Sequence, residues 1–179
     1  MVNLYICGRQ ELIDFSDKNI SHLISVIDPN ESLVPTPNWP SIINHTHFKF
    51  DDVEVLMDGA PLRKDVEQII YHLNDIIAYS NENDVNLLVQ CFAGIARSTS
   101  IAFMFICMLH DDWPEEKSWE HITMLRPCAW GNRRMVQFAD NILAKGGTMI
   151  GALKKFQLEN SDAEGGLWIP SPIGYQRKF

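Results

Sequence analysis

The stretch Leu87-Leu88-Val89-Gln90-Cys91-Phe92-Ala93-Gly94-Ile95-Ala96-Arg97-Ser98-Thr99-Ser100 constrains this chain more than any other. Its first four residues suit a short buried strand, Gly94 marks a tight loop, and the apolar run from about Arg97 suits a long helix. A strand thus hands a cysteine to the mouth of a helix, where unpaired N–H groups and the positive end of the helix dipole converge. Such a loop holds an anion of phosphate size. A cysteine in that position is expected to ionise readily, and a thiolate facing a phosphate nest is a nucleophile for phosphoryl transfer. The plainer alternative is a buried structural cysteine beside a solvated arginine. It leaves Gly94 and the polar Ser98-Thr99-Ser100 run at a helix start without a joint explanation.

The run from Cys91 to Ser98 resembles the signature loop of the cysteine-dependent protein tyrosine phosphatases: Cys, any five residues, Arg, then Ser or Thr. The strand before it and the helix after it are similar to the dual-specificity branch. Arg126-Pro127, a short turn and Asn132 opening a helix are also similar to that branch, so the resemblance covers roughly 22–143. One departure is Gln90, where the family usually carries His. A weaker activity than typical follows from that change.

The resemblance implies a division of labour. Cys91 is the nucleophile, and the backbone of Phe92, Ala93, Gly94, Ile95 and Ala96 binds phosphate together with Arg97. The planar fork of Arg97 suits two phosphate oxygens in a way that Lys does not. Ser98 donates to the sulfur and helps it leave. An Asp after a neighbouring strand protonates the leaving oxygen. Asp52, at the end of Phe48-Lys49-Phe50-Asp51-Asp52, is the first candidate for that acid, ahead of Asp58, which lies closer to the usual distance from the Cys, and of Asp51. No cofactor and no metal are implied. Phe92, Ala93, Ile95 and Ala96 put no Lys in the loop, so a phosphorylated protein or peptide is a better substrate than an inositol lipid or an RNA end. Two rivals stay open. One is a phosphate-binding pseudophosphatase that does not turn its ligand over, and the other is a rhodanese-type sulfurtransferase, which also sets a Cys in a loop opening a helix.

The rest of the chain is consistent with an α/β fold, a mostly parallel sheet flanked by helices. Short apolar runs at 4–7, 22–27, 45–50 and 86–90 suit strands. Leu62, Val66, Ile69, Ile70, Leu73, Ile76 and Ile77 recur on one helical face after Pro61, and helices are expected at 114–125 and 133–143. A helix apolar nearly all round, from Arg97 to Leu109, has to be buried. The loop with Pro35, Pro37 and Pro40 carries Trp39, a candidate lid. His22 suits a structural role, and His45 with His47 on one strand face suits a solvated surface better than a metal site. With 179 residues, one domain over 1–147 is expected, followed by a partly ordered tail over 148–179 in which Trp168 or Tyr175 packs.

Net charge of −8 argues against nucleic acid and anionic membrane surfaces as partners. No run is apolar enough to span a membrane, and no signal peptide is apparent, which suggests a cytoplasmic protein. The four cysteines, Cys7, Cys91, Cys107 and Cys128, have neither disulfide-rich density nor metal-ligand spacing and are expected to be free thiols.

Overall fold

The computed structural model describes residues 1–161. Four strands, β1 (Val2–Gly8), β2 (His22–Ile27), β3 (Asn44–Lys49) and β4 (Val85–Cys91), form one sheet in the order β1-β4-β2-β3. All three pairings are parallel, so the expected α/β architecture is the observed one. Helices α1 (Arg63–Ser80), α2 (Arg97–Leu109), α3 (Glu115–Leu125), α4 (Arg133–Ile142) and α5 (Thr148–Glu159) accompany it, with a 3₁₀ segment over Arg9–Phe15.

Strand alternation divides the sheet into two unequal faces. Leu4, Ile6, Ile24, Val26, Leu87, Val89 and Cys91 lie in the main core with the buried sides of the five helices. Cys7, Leu23 and Leu88 face the other way, under a thin cover of Leu12, Phe15, Trp39 and Ile42. α2 is the centre of the thick layer, its residues Arg97–Cys107 all buried. Trp39 is therefore part of the thin cover on the second face, and the lid role expected for it does not hold.

A second correction concerns the chain after Gly147, expected to be irregular. Thr148–Glu159 is a helix, and Met149, Ile150, Ala152 and Leu153 enter the main core. Asp140, buried in α4, accepts from the Gly147 N–H (2.6 Å) and the Ile150 N–H (3.1 Å) and so satisfies free donors at the start of α5. Gly146-Gly147 is thus a helix-to-helix turn inside the domain, with Gly147 at φ +96°. Trp168 and Tyr175 lie outside the described residues.

Candidate active site

A parallel sheet sends all its strand ends to one edge, and ligand loops gather there. The pairings put Gly8 beside Cys91 at that edge. The loop that follows Cys91 wraps over the end of β1, which explains both glycines. Gly94 sits at φ +70°, and a Cβ on it would fall 2.5 Å from the Gly8 nitrogen. Any side chain there would force the loop off the strand.

The outer side of the loop is held by Arg126. Its Nε donates to the Gly94 carbonyl and its Nη2 to the Ala93 carbonyl, both at 3.0 Å, while Glu11 pairs with the same guanidinium at 2.8 Å. Glu11 in turn accepts from the Gly8 N–H at 2.5 Å. With these carbonyls drawn outward, the loop is free to turn N–H groups inward, the condition for an anion nest. Further along, Trp130 N–H donates to the Ile95 carbonyl at 2.9 Å, and the hydroxyls of Thr99 and Ser100 take up the Ile95 and Ala96 carbonyls.

Cys91 is buried, 2 % exposed. The Gly94 N–H donates to its sulfur at 3.2 Å, and Ser98 Oγ lies 3.2 Å from the same atom. Burial pushes the Cys7 and Cys107 thiols up to about 12 and raises Cys128 as well, so these three stay protonated. All four cysteines are free.

Arg97 gathers three strand ends. Its Nη1 donates to Asp28 after β2 at 2.5 Å and to the Phe50 carbonyl after β3 at 2.8 Å, while its own helix follows β4. Its Nε is buried without a protein acceptor. One corner of the guanidinium is anchored and an adjacent donor is left over. Asp28, Asp51, Asp52, Val53, Phe92, Ala93 and Arg97 line a cavity of about 410 Å³ at this edge. Asp58 is exposed and is not part of that lining. Asp52 accepts from the Asn132 side-chain amide at 2.9 Å, and Asn132 is fixed in turn by capping α4 through the Met135 N–H and by donating its N–H to Ser100 Oγ.

Of the residues proposed from sequence, Cys91 and Ser98 pair at the loop, and Arg97 shares the lining of the cavity with Asp52, Asp51, Phe92 and Ala93. Asp28, Arg126 and the Asp52-orienting role of Asn132 were not found from sequence. Asp28 had a usable signal, since it ends a strand of the same parallel sheet. Arg126 had none as a loop support, because its partners are backbone carbonyls remote in sequence.

Gln90 has a different role from the one its position suggests. Alternation puts its side chain on the sheet face opposite the Cys91 sulfur. There its Nε2 donates to Ser25 Oγ at 2.7 Å. Ser25 Oγ in turn is hydrogen-bonded to His45 Nε2 at 2.7 Å, and His45 Nδ1 to Thr36 Oγ1 at 2.9 Å. His47 Nε2 donates to the Val34 carbonyl at 2.9 Å. The solvated surface expected for His45 and His47 is thus corrected: both rings are tied into a partly buried network. Burial, helped by His47, pushes His45 down to about 4. His22 is buried against Tyr79, as a structural residue would be. Among the described residues no group of three or more His, Cys, Asp or Glu side chains is gathered for a metal, and no helix is long and apolar enough to cross a membrane.

No protein-family model matches the chain. It is 28 % identical over 128 residues to tyrosine-protein phosphatase yvh1 of Schizosaccharomyces pombe; the match covers 69 % of this chain and spans 34 % of that protein's length. Solved structures similar to it include DUSP15, with 24 % identity, 88 % of this chain and 91 % of that one covered, and a TM-score of 0.57. The Yvh1 phosphatase domain from Chaetomium thermophilum is similar at 15 % identity, with 82 % and 93 % covered and a TM-score of 0.57. These likenesses carry the fold. Fold, loop and relatives together make the chain similar to the cysteine-dependent protein tyrosine phosphatases of the dual-specificity type.

Proposed function

We propose that the chain hydrolyses phosphotyrosine in proteins, and phosphoserine or phosphothreonine where they reach the loop, through a cysteinyl-phosphate intermediate. The observation that carries this reading is the divided guanidinium of Arg97, anchored through Nη1 to Asp28 and Phe50 while a buried Nε lacks an acceptor. A buried charged donor left unpaired is costly, and a phosphate oxygen would relieve it. The Cys91 thiolate attacks phosphorus as the ester P–O bond breaks, and the Asp52 carboxyl gives its proton to the departing oxygen. Water then attacks the phosphocysteine, Asp52 takes a proton from it, and the P–S bond breaks to release orthophosphate. Ser98 supports the departing sulfur, and Arg97 follows the charge on the phosphoryl oxygens through both steps. Every role falls to a side chain or the loop backbone, and no cofactor is invoked. The free thiols suit the reducing cytoplasm as the place of work.

A second reading, a phosphate-binding protein without turnover, is favoured by Gln90, which stands where the family's usual His would be. The deciding experiment is hydrolysis of p-nitrophenyl phosphate and of a phosphotyrosine peptide, with chelator present, by wild type, Cys91→Ser, Asp52→Asn and Asp58→Asn. The expected outcome is turnover by wild type, none by Cys91→Ser, and a loss of roughly 10²–10⁴ for Asp52→Asn on the peptide. That loss should be smaller on the nitrophenyl ester, whose leaving group needs less help. A wild type that binds phosphopeptide but turns over neither substrate establishes the second reading. Thiosulfate turnover would revive the sulfurtransferase.

A further inference from the structure

The cavity is charged the wrong way for a bare phosphate. Three carboxylates, Asp28, Asp51 and Asp52, line it against one guanidinium, Arg97. Asp28 is answered by Arg97 and Asp52 by the Asn132 amide. Asp51 has no hydrogen-bonded or ionic partner for its carboxylate among the described residues; its oxygen lies in the turn against Gly59, where a Cβ would come within 2.0 Å. The neighbouring cations are already committed. Arg9, whose Cζ lies 6.0 Å from the Phe92 ring, is held by both oxygens of Glu31, and Lys49 donates to the Glu31 carbonyl. The mouth itself is apolar. Phe92 is 61 % exposed at its edge, and Val55, Leu56 and Met57, just past Asp52, are exposed as well.

Resting on the phosphatase reading for the site but not for turnover, we propose that this mouth selects phosphotyrosine flanked by Lys or Arg. Phe92 offers an apolar edge to the phosphorylated ring, and Asp51 supplies the counter-charge for a basic side chain within two residues of it. The reason is charge complementarity. A phosphate dianion gains from the loop and Arg97 but is repelled by the carboxylates around it. A substrate that brings its own cation converts part of that repulsion into attraction at close range. An acidic flank adds to it, and the protein's overall charge of −8 works against acidic peptides before contact is made.

The test uses Cys91→Ser, which binds without turnover, and fluorescence anisotropy with three labelled phosphotyrosine peptides that differ only in having Lys, Gln or Glu on both sides. The Kd should rise in the order Lys, Gln, Glu, with about a tenfold span or more at 0.15 M salt, narrowing at 0.5 M as screening shortens. Adding Asp51→Asn to Cys91→Ser should narrow the span at constant salt. Equal Kd values, the reverse order, or no binding by any peptide overturns the proposal, as does a span that Asp51→Asn leaves untouched. Turnover of p-nitrophenyl phosphate by wild type is measured alongside. Equal Kd values with turnover sink the preference and leave the phosphatase standing. Ordered Kd values without turnover sink catalysis and leave the preference standing.

Discussion

His45 shows how a partly buried residue contributes to the chain's response to acid. Its Nε2 pairs with the Ser25 hydroxyl and its Nδ1 with the Thr36 hydroxyl, so a neutral ring has a partner at both nitrogens. Burial and His47 lower it from 6.5 to about 4. The unfolded chain therefore takes up a proton near pH 6.5 that the folded chain refuses until about pH 4. Stability from this residue is complete above pH 6.5 and is lost progressively as the pH falls toward 4. His22, His72 and His121 are lowered as well, in each case chiefly by burial, and act in the same direction. Thermal melts at pH 7.5, 6 and 5 should show a falling midpoint, with a shallower fall for His45→Gln, whose amide can still pair with Ser25. A midpoint drop identical in the variant would show that the relay contributes nothing.

At the scale of the element, the signature loop is a short piece of chain whose shape is imposed from outside. The end of β1 presses on Gly94, Arg126 draws two carbonyls outward, and Trp130 secures a third. Gly94→Ala introduces a side chain at positive φ and a contact of 2.5 Å with the strand backbone. The loop must shift, and a misplacement of ~1 Å in a catalytic constellation costs roughly 10²-fold. Turnover of p-nitrophenyl phosphate should fall by at least that much while circular dichroism keeps its native shape; near-normal turnover would mean that the loop relaxes without losing its nest. The pattern of Cys91, Gly94 and Arg97 was legible in the sequence because it is local, one strand end and one helix start. Arg126 was legible only as part of a resemblance, because its partners are main-chain atoms about thirty residues away.

At the scale of the molecule, α5 is joined to the site it does not touch. Gln157 is buried and donates to the Trp130 and Gly131 carbonyls at 2.7 and 3.2 Å, and its own oxygen accepts from Arg133 Nε. The same Trp130 holds the Ile95 carbonyl of the loop. Leu153 packs beside Gly131 and Trp119, so closely that a Cβ at Gly131 would meet Leu153 and Trp119 at 2.8 Å. Leu153→Ala should cost roughly 2–5 kcal/mol in urea unfolding, the usual range for a buried Leu truncated in a core. A loss under about 1 kcal/mol would show that α5 is an appendage, as the Gly146-Gly147 pair suggests when taken alone.

What the sequence determined by itself was local and periodic. Apolar alternation and helical spacing gave four strands and four of the five helices of the described residues, and the fixed interval from Cys91 to Arg97 put both side chains at one loop, since six residues cannot separate far. Tertiary structure decided what depends on elements meeting. It brought Asp28 onto Arg97 across 69 residues, turned Gln90 onto the opposite sheet face from the sulfur beside it, and drew Asn132 to Asp52 across 80. It also decided that the helix Thr148–Glu159 belongs to the core, because a two-glycine turn reads as a break in sequence whether the next helix docks or not. Docking is settled by Asp140 at the start of α5 and by the space that Gly131 leaves open, and neither is visible until the helices are packed.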